Sequence, residues 1–223
     1  MAVVYALIAD IVGSRRLPDR ARAQESVTAA LEQARLGLSM SQDPYATVGD
    51  EFQAVAVDLA GALTLTLRTH LLLPDGLALR FGVGAGEVSA LSPGAGAPIQ
   101  DGSAWWAARE AIDLAHGLQE RGRSFARTWL RVADGAGTLV DPTPTAQGEA
   151  VANAMLLLRD QAVSRMRARQ RRVLAGLLMG ATQVEVARRE RLSQQAVSEF
   201  VRGPGAAVLE AQSLVDGLAV PDP

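Results

Sequence analysis

Near its start the sequence runs Val3-Val4-Tyr5-Ala6-Leu7-Ile8-Ala9, seven residues without a charge, and closes on Asp10. An apolar run of that length, ended by Asp10 and followed three residues later by the turn residues Gly13-Ser14, reads as a buried strand. Pro18 to about Met40 then reads as a helix, with Val27, Leu31, Ala34 and Leu38 at spacings of three and four. Tyr45–Val48 and Phe52–Val57 read as two short strands around Gly49-Asp50-Glu51, a hairpin. Asp58 caps a second helix to about Leu72, and Pro74-Asp75-Gly76 makes a turn before a long strand, Leu77–Val88. A Gly- and Pro-rich loop over 92–98, a third helix from about Ser103 to Glu120 and a strand from Ala126 to Val132 complete the pattern.

The order is β-α-β-β-α-β-α-β, and its first six elements match the split βαβ, or ferredoxin-like, arrangement. The expected fold class is α+β: a ferredoxin-like (βαββαβ) palm-type domain over 1–135, then a small all-α domain over 151–223. Residues 136–150, rich in Gly, Pro and Thr, read as the linker.

What the chain lacks narrows its chemistry. It has no cysteine, which removes disulfides, thiolate metal sites and thiol nucleophiles and fits a reducing, cytoplasmic setting. His70 and His116 are its only histidines, so any metal must be held by carboxylates, which suits Mg²⁺ or Mn²⁺. The start MAVVYALIAD has no basic stretch and is not read as a signal peptide. No apolar run is long enough to span a bilayer, so no membrane partner is expected. All 22 basic residues are Arg. Residues 1–150 hold 12 of them against 17 acids, whereas 151–223 hold 10 against 7. The basic excess gathers at Arg165, Arg167, Arg169, Arg171 and Arg172.

That basic end carries the clearest motif. Within 181–203, Thr182 caps a short helix bearing Gln183, Val184, Val186 and Ala187, and Glu190-Arg191-Leu192 forms a turn. Ser193 caps a second helix, with Ala196, Val197 and Phe200 inward and Gly203-Pro204 as its stop. Ala187 lets the two helices cross closely, Leu192 fills the space under the turn, and a preceding helix from about Asn153 to Met179 forms the third wall. In a helix-turn-helix the second helix enters the major groove N-terminal end first. Gln183, Ser193, Gln194, Gln195, Ser198 and Arg202 then face DNA. Gln is suited to adenine, and Arg169 and Arg172 supply charge for phosphates. One such module binds weakly alone, so a homodimer on two half-sites is expected. The alternative is a helical hairpin used only for dimerisation.

A second constellation lies at the other end. Asp10 closes the first strand and Asp50 sits in the hairpin. Two Asp, with Glu51 as a third candidate and carbonyls at Ile11 or Val12, make a hard oxygen site that leaves room for water and phosphate. Gly13 and Ser14 leave backbone N–H groups for phosphate, Arg15 and Arg16 add charge, and Arg109 on the third helix could reach the same edge. Gly-Asp in a hairpin and Asp at a strand end are also ordinary turn chemistry. Gly82, Gly84 and Gly86 alternate along one strand face and allow close approach by a helix or a ligand. Of the adjacent Trp105 and Trp106, one belongs in the core and the other is half exposed, with base stacking as an alternative role for Trp105. His116, without His or Cys companions, reads as a surface or packing residue.

The segments ADIVGSRRLPDR (9–20), VGDEFQAV (48–55), LRFGVGAGEV (79–88) and DGSAWWAAREAID (101–113), ahead of the helix-turn-helix, resemble the SatD family of bacterial proteins. More distantly, residues 5–113 look like the palm domain of class III nucleotide cyclases and GGDEF synthases. That resemblance implies Asp10 and Asp50 as metal ligands and Arg109 as the arginine that stabilises the transition state. The sequence departs from the cyclase pattern at three points. The purine-reading Lys falls at about Ala46, the Asn four residues before the Arg is Trp105, and Val48 stands where GGDEF has its first Gly. The expectation is a DNA-binding regulatory protein whose palm-like domain binds a nucleotide with Mg²⁺. The alternative is an active nucleotidyl cyclase or related phosphoryl-transfer enzyme.

Overall fold

The computed structural model describes residues 3–47, 49–92, 99–134 and 146–218. The apolar run becomes β1 (Val4–Ile11), and alternate residues on it serve two different cores. Tyr5, Leu7, Ala9 and Ile11 face helices α1 (Arg20–Ala34) and α2 (Leu59–Leu72). Ala6 and Ile8 face α3 (Ser103–Glu120) on the other side. A strand with a helix layer on each face needs apolar side chains at every position, which is why the run does not alternate.

The main sheet has five strands in the order β2-β3-β1-β4-β7. They are β2 (Met40–Ala46), β3 (Glu51–Ala56), β4 (Leu79–Gly86) and β7 (Thr128–Val132) around β1. β1 runs antiparallel to β3 and β4, β2 antiparallel to β3, and β7 parallel to β4. A separate ribbon pairs β5 (Ser89–Ser92) with β6 (Ile99–Asp101). The loop expected at 92–98 lies almost wholly outside the described residues.

The alternating glycines answer to a helix. A Cβ on Gly82 would lie 2.1 Å from the Ala108 carbonyl oxygen, and one on Gly84 2.0 Å from that of Ala104. α3 meets them with Ala104, Ala108 and Ile112, so backbone packs nearly on backbone. Trp105 is buried in this layer and Trp106 is exposed, which removes Trp105 as a stacking platform.

Several boundaries differ from the expected ones. α1 ends at Ala34 rather than near Met40, because Gly37 takes a left-handed turn (φ 74°) and the chain from Met40 pairs with β3. The single helix expected from Asn153 to Met179 is two helices, α4 (Ala146–Ser164) and α5 (Ala168–Leu178). Arg167 breaks it by adopting an extended conformation and taking a cap from Gln170, which lets Val163, Met166 and Val173 turn into one cluster. α4 also begins inside the expected linker, whose earlier residues up to 145 lie outside the described ones.

α4 packs along β7 and satisfies its outer edge. Asp160 accepts from the Arg127 and Thr128 amides at 2.8 and 2.7 Å. Asn153 accepts from the Leu130 amide at 2.8 Å and donates to the Leu130 carbonyl at 2.9 Å. Glu149 accepts from the Val132 amide at 2.8 Å. An edge strand left bare would present unpaired backbone groups to other chains, and three polar side chains of one helix close it here.

The remaining helices are α6 (Gln183–Glu190), α7 (Gln194–Arg202) and α8 (Ala206–Asp216). They share a core with α5 built from Val173, Leu174, Val186, Ala187, Val197 and Phe200, joined by Leu67 and Leu71 of α2. No helix among the described residues is long and apolar enough to cross a membrane.

Candidate functional site

At the end of β1, Asp10 stands in register with Glu51 on one side and Arg80 on the other. Alternation puts all three on the sheet face covered by α3. Arg80 is 6% exposed, and its Nη1 lies 3.3 Å from Asp10 Oδ2 while its Nε donates to Gln119 Oε1 at 3.0 Å. Arg109, from α3, reaches down to Glu51 at 2.8 Å. Asp10, Glu51, Arg80 and Arg109 therefore form one group at one end of the sheet.

Burial pushes the Asp10 carboxyl above the ordinary range; Arg80 opposes this, and the nearby Asp50 carboxylate adds to the rise. Asp10 Oδ1 is buried and has no hydrogen-bond partner among the described residues. Glu51 is committed to Arg109 and accepts from Gln53 Nε2 at 3.0 Å. Among the described residues no three His, Cys, Asp or Glu side chains come together in a group able to hold a metal ion. Asp10, Asp50 and Glu51 therefore do not form a ready-made cage. Asp10 Oδ1 and the carboxylate of Asp50 are the oxygens at this end of the sheet that could hold a cation.

A cavity of about 290 Å³ is lined by Ile11, Ser14, Leu17, Arg20, Gln24 and Asp50 among others, and none of Asp10, Glu51, Arg80 and Arg109 lines it. It sits between the turn after β1, the first turns of α1 and the hairpin tip. Gly13 adopts φ 68° to start a 3₁₀ turn, Ser14–Arg16, whose closing bonds run from the Arg16 amide to Gly13 and from the Leu17 amide to Ser14. The amides of Gly13, Ser14 and Arg15 have no protein acceptor among the described residues, and Arg15 is exposed. The Val12 amide is spent on the Ala78 carbonyl at 2.9 Å. Asp19 caps α1 through the Arg22 amide, so that helix end already holds a carboxylate. Arg20, Ala21 and Gln24 fall on one face of α1 by spacing alone, and Leu17 joins them from the turn ahead of the helix.

At the other end, Thr182 and Glu185 form a reciprocal cap on α6, and Ser193 caps α7 through the Ala196 amide at 3.1 Å. Arg191, Leu192 and Ser193 join the two helices, with Arg191 left-handed at φ 54° and Leu192 packed against the core. Gln194, Gln195 and Arg202 are exposed on α7, Ser198 and Gln183 are half-buried, and Arg169 is exposed on α5. Some of these side chains are engaged. Gln195 donates to Glu199 at 3.1 Å, Arg202 to the Ser198 carbonyl at 3.4 Å, and Arg172 to Glu190 at 2.9 Å. Arg171 leaves the arginine run altogether and pairs with Asp75 across the molecule.

A family model covers residues 4–202 of this chain. The chain belongs to the SatD family. No curated protein matches it. The match spans both the Asp10 group and the α6–α7 pair. In this SatD family chain, Arg80 and Gln119 escaped sequence reading because they lie 70 residues from Asp10 and 39 from Arg80, with no motif spacing to join them.

Proposed function

We propose that this SatD family chain is a DNA-binding regulatory protein, acting as a homodimer, in which α6 and α7 form a helix-turn-helix with α7 as the reading helix. The observation that carries this reading is the capped α6–α7 pair with its three-residue turn, whose second helix turns Gln194, Gln195 and Arg202 outward from a closed apolar base. Arg169 supplies nearby charge, while Arg172 must exchange its Glu190 partner for a phosphate. Fluorescence anisotropy on duplex DNA, repeated across salt concentrations, tests it. Affinity should fall steeply with salt, and Arg169→Ala should weaken binding to all sequences and flatten the salt slope by about one unit. Absence of salt-dependent binding would overturn the reading.

The sheet is read as a ferredoxin-like palm, since the order β2-β3-β1-β4 with two helices on one face is that of the split βαβ unit. Its proposed ligand is a nucleotide seated in the 290 Å³ cavity. Asp10 and Asp50 would hold Mg²⁺ or Mn²⁺, which would neutralise phosphate charge, and the Gly13–Arg15 amides would bind phosphate oxygens. The convergence of Asp10, Glu51 and Arg109 favours a second reading, phosphoryl transfer, with Arg109 released from Glu51 to the phosphate. Thermal unfolding with each nucleoside triphosphate and Mg²⁺ or Mn²⁺, followed by turnover assays, separates the two. A midpoint shift lost in Asp50→Ala without turnover supports a sensor; turnover lost in Arg109→Ala supports an enzyme; no shift removes the nucleotide. Asp50 is the better probe, because removing Asp10 would leave Arg80 buried beside no counter-charge.

A further inference from the structure

A second cavity, of about 210 Å³, shares no lining residue with the first. It opens where α2, the α2–β4 loop, the start of β7 and the α4–α5 corner meet. Its polar wall is His70, Arg127, Asp160 and Arg171; its apolar wall is Leu73, Leu77, Val163 and Met166.

The charges around it do not balance. Asp160, the one acid in the wall, has both oxygens occupied, by the Arg127 and Thr128 amides on one and by Thr128 Oγ1 and Arg159 on the other. Arg159 is turned inward and also donates to the Leu63 carbonyl and to Thr128 Oγ1. Arg127 is half-buried and has no ion-pair partner among the described residues. Among the described residues the buried Nε of Arg171 has no partner, and the acid that Arg171 pairs with, Asp75, is 75% exposed at the side chain. His70 is buried, and its pKa is lowered well below the ordinary imidazole value, first by burial and then by the guanidinium groups of Arg159, Arg127 and Arg171. Partly desolvated guanidinium groups facing a cavity cost free energy until an anion meets them.

We propose that this cavity binds a small organic anion, with a carboxylate or phosphate head between Arg127 and Arg171 and a short apolar body against Leu73, Leu77, Val163 and Met166. Guanidinium groups suit either head by paired N–H donation, and the volume admits a ring or short chain. The site stands apart from both the nucleotide and the DNA readings. Its walls come from the sheet and from α5, so occupancy ties the two together.

The test is thermal unfolding of the full chain with benzoate, phenyl phosphate, inorganic phosphate and benzyl alcohol as probes. Benzoate or phenyl phosphate should raise the midpoint by about 5 °C near saturation, and neutral benzyl alcohol should not. Which of the two anions acts identifies the head group. The shift should vanish in Arg127→Gln and in Ser164→Phe, which fills the mouth from an exposed helix-end position without touching a charge, and should persist in Asp50→Ala. No shift with any anion, an equal shift with benzyl alcohol, or a shift that survives Ser164→Phe would overturn the proposal.

Discussion

His70 shows how far one buried side chain can set the behaviour of the whole chain with pH. Its Nε2 lies 3.1 Å from Thr128 Oγ1, and its ring stands edge-on to Phe81 at 5.3 Å. Burial and the surrounding arginines hold its pKa well below the ordinary imidazole value. The unfolded chain therefore takes up a proton that the folded chain refuses, so this contribution to stability is fully present above the ordinary value and is lost as pH falls below it. Asp10 and Asp160, both raised mainly by burial, act oppositely: their contribution is greatest at low pH and is lost as pH rises through their folded values. Urea midpoints measured between about pH 7.5 and pH 5.5 should fall more steeply for the native chain than for His70→Gln, since imidazole titrates near pH 6.5. Gly84 is decided by space rather than charge. Its Cβ would meet the Ala104 carbonyl oxygen and the Ala108 nitrogen at 2.0 and 2.3 Å, and neither backbone atom can turn aside. Gly84→Ala should cost about 3 kcal/mol by forcing α3 off the sheet, read as a lowered urea midpoint.

Among the elements, β7 depends on the helix that follows it in the chain. Its parallel pairing with β4 leaves one edge open, and α4 covers that edge with Glu149, Asn153 and Asp160 at spacings of four and seven. Those spacings put three polar side chains on one helical face, a pattern readable in the sequence but with nothing there to say what it faces. Asn153→Ala would strand the buried Leu130 amide and carbonyl, and should cost about 2–4 kcal/mol in equilibrium unfolding. The same change on an exposed helix face would be nearly neutral. α4 and α5 show the converse difficulty. A break at Arg167, with no Pro or Gly to mark it, is set by packing of Val163, Met166 and Val173 and not by local propensity.

Across the whole molecule, α2 belongs to two cores at once. Leu63 and Leu65 pack against the sheet, while Leu67 and Leu71 pack with Val173, Val186 and Phe200. α8 returns to the same helix, where Gln212 donates to Thr64 Oγ1 at 2.7 Å and Val215 joins the sheet core. The sheet and the C-terminal helices should therefore unfold together. Trp105, Trp106 and Trp129 all lie on the sheet side, so their fluorescence reports that part, whereas far-ultraviolet circular dichroism is weighted to the helices. The two signals should give coincident urea transitions; separated midpoints would show that the shared helix does not couple the parts.

The sequence by itself determined the order of strands and helices through β4, the two-faced burial of β1, the caps and turn of α6 and α7, and the placing of Asp10 beside the Gly49-Asp50 hairpin. These follow from period, capping and turn chemistry, all of which act within a few residues. Only the tertiary structure decided that the glycine stripe receives a helix, that Arg80 and Arg109 take up Asp10 and Glu51, and that Arg171 leaves the basic run to face Arg127 across a cavity. These partners lie far apart in the chain. Their meeting depends on how strands pair and helices pack, and on the need of each buried charge for a counter-charge, which no short-range pattern encodes.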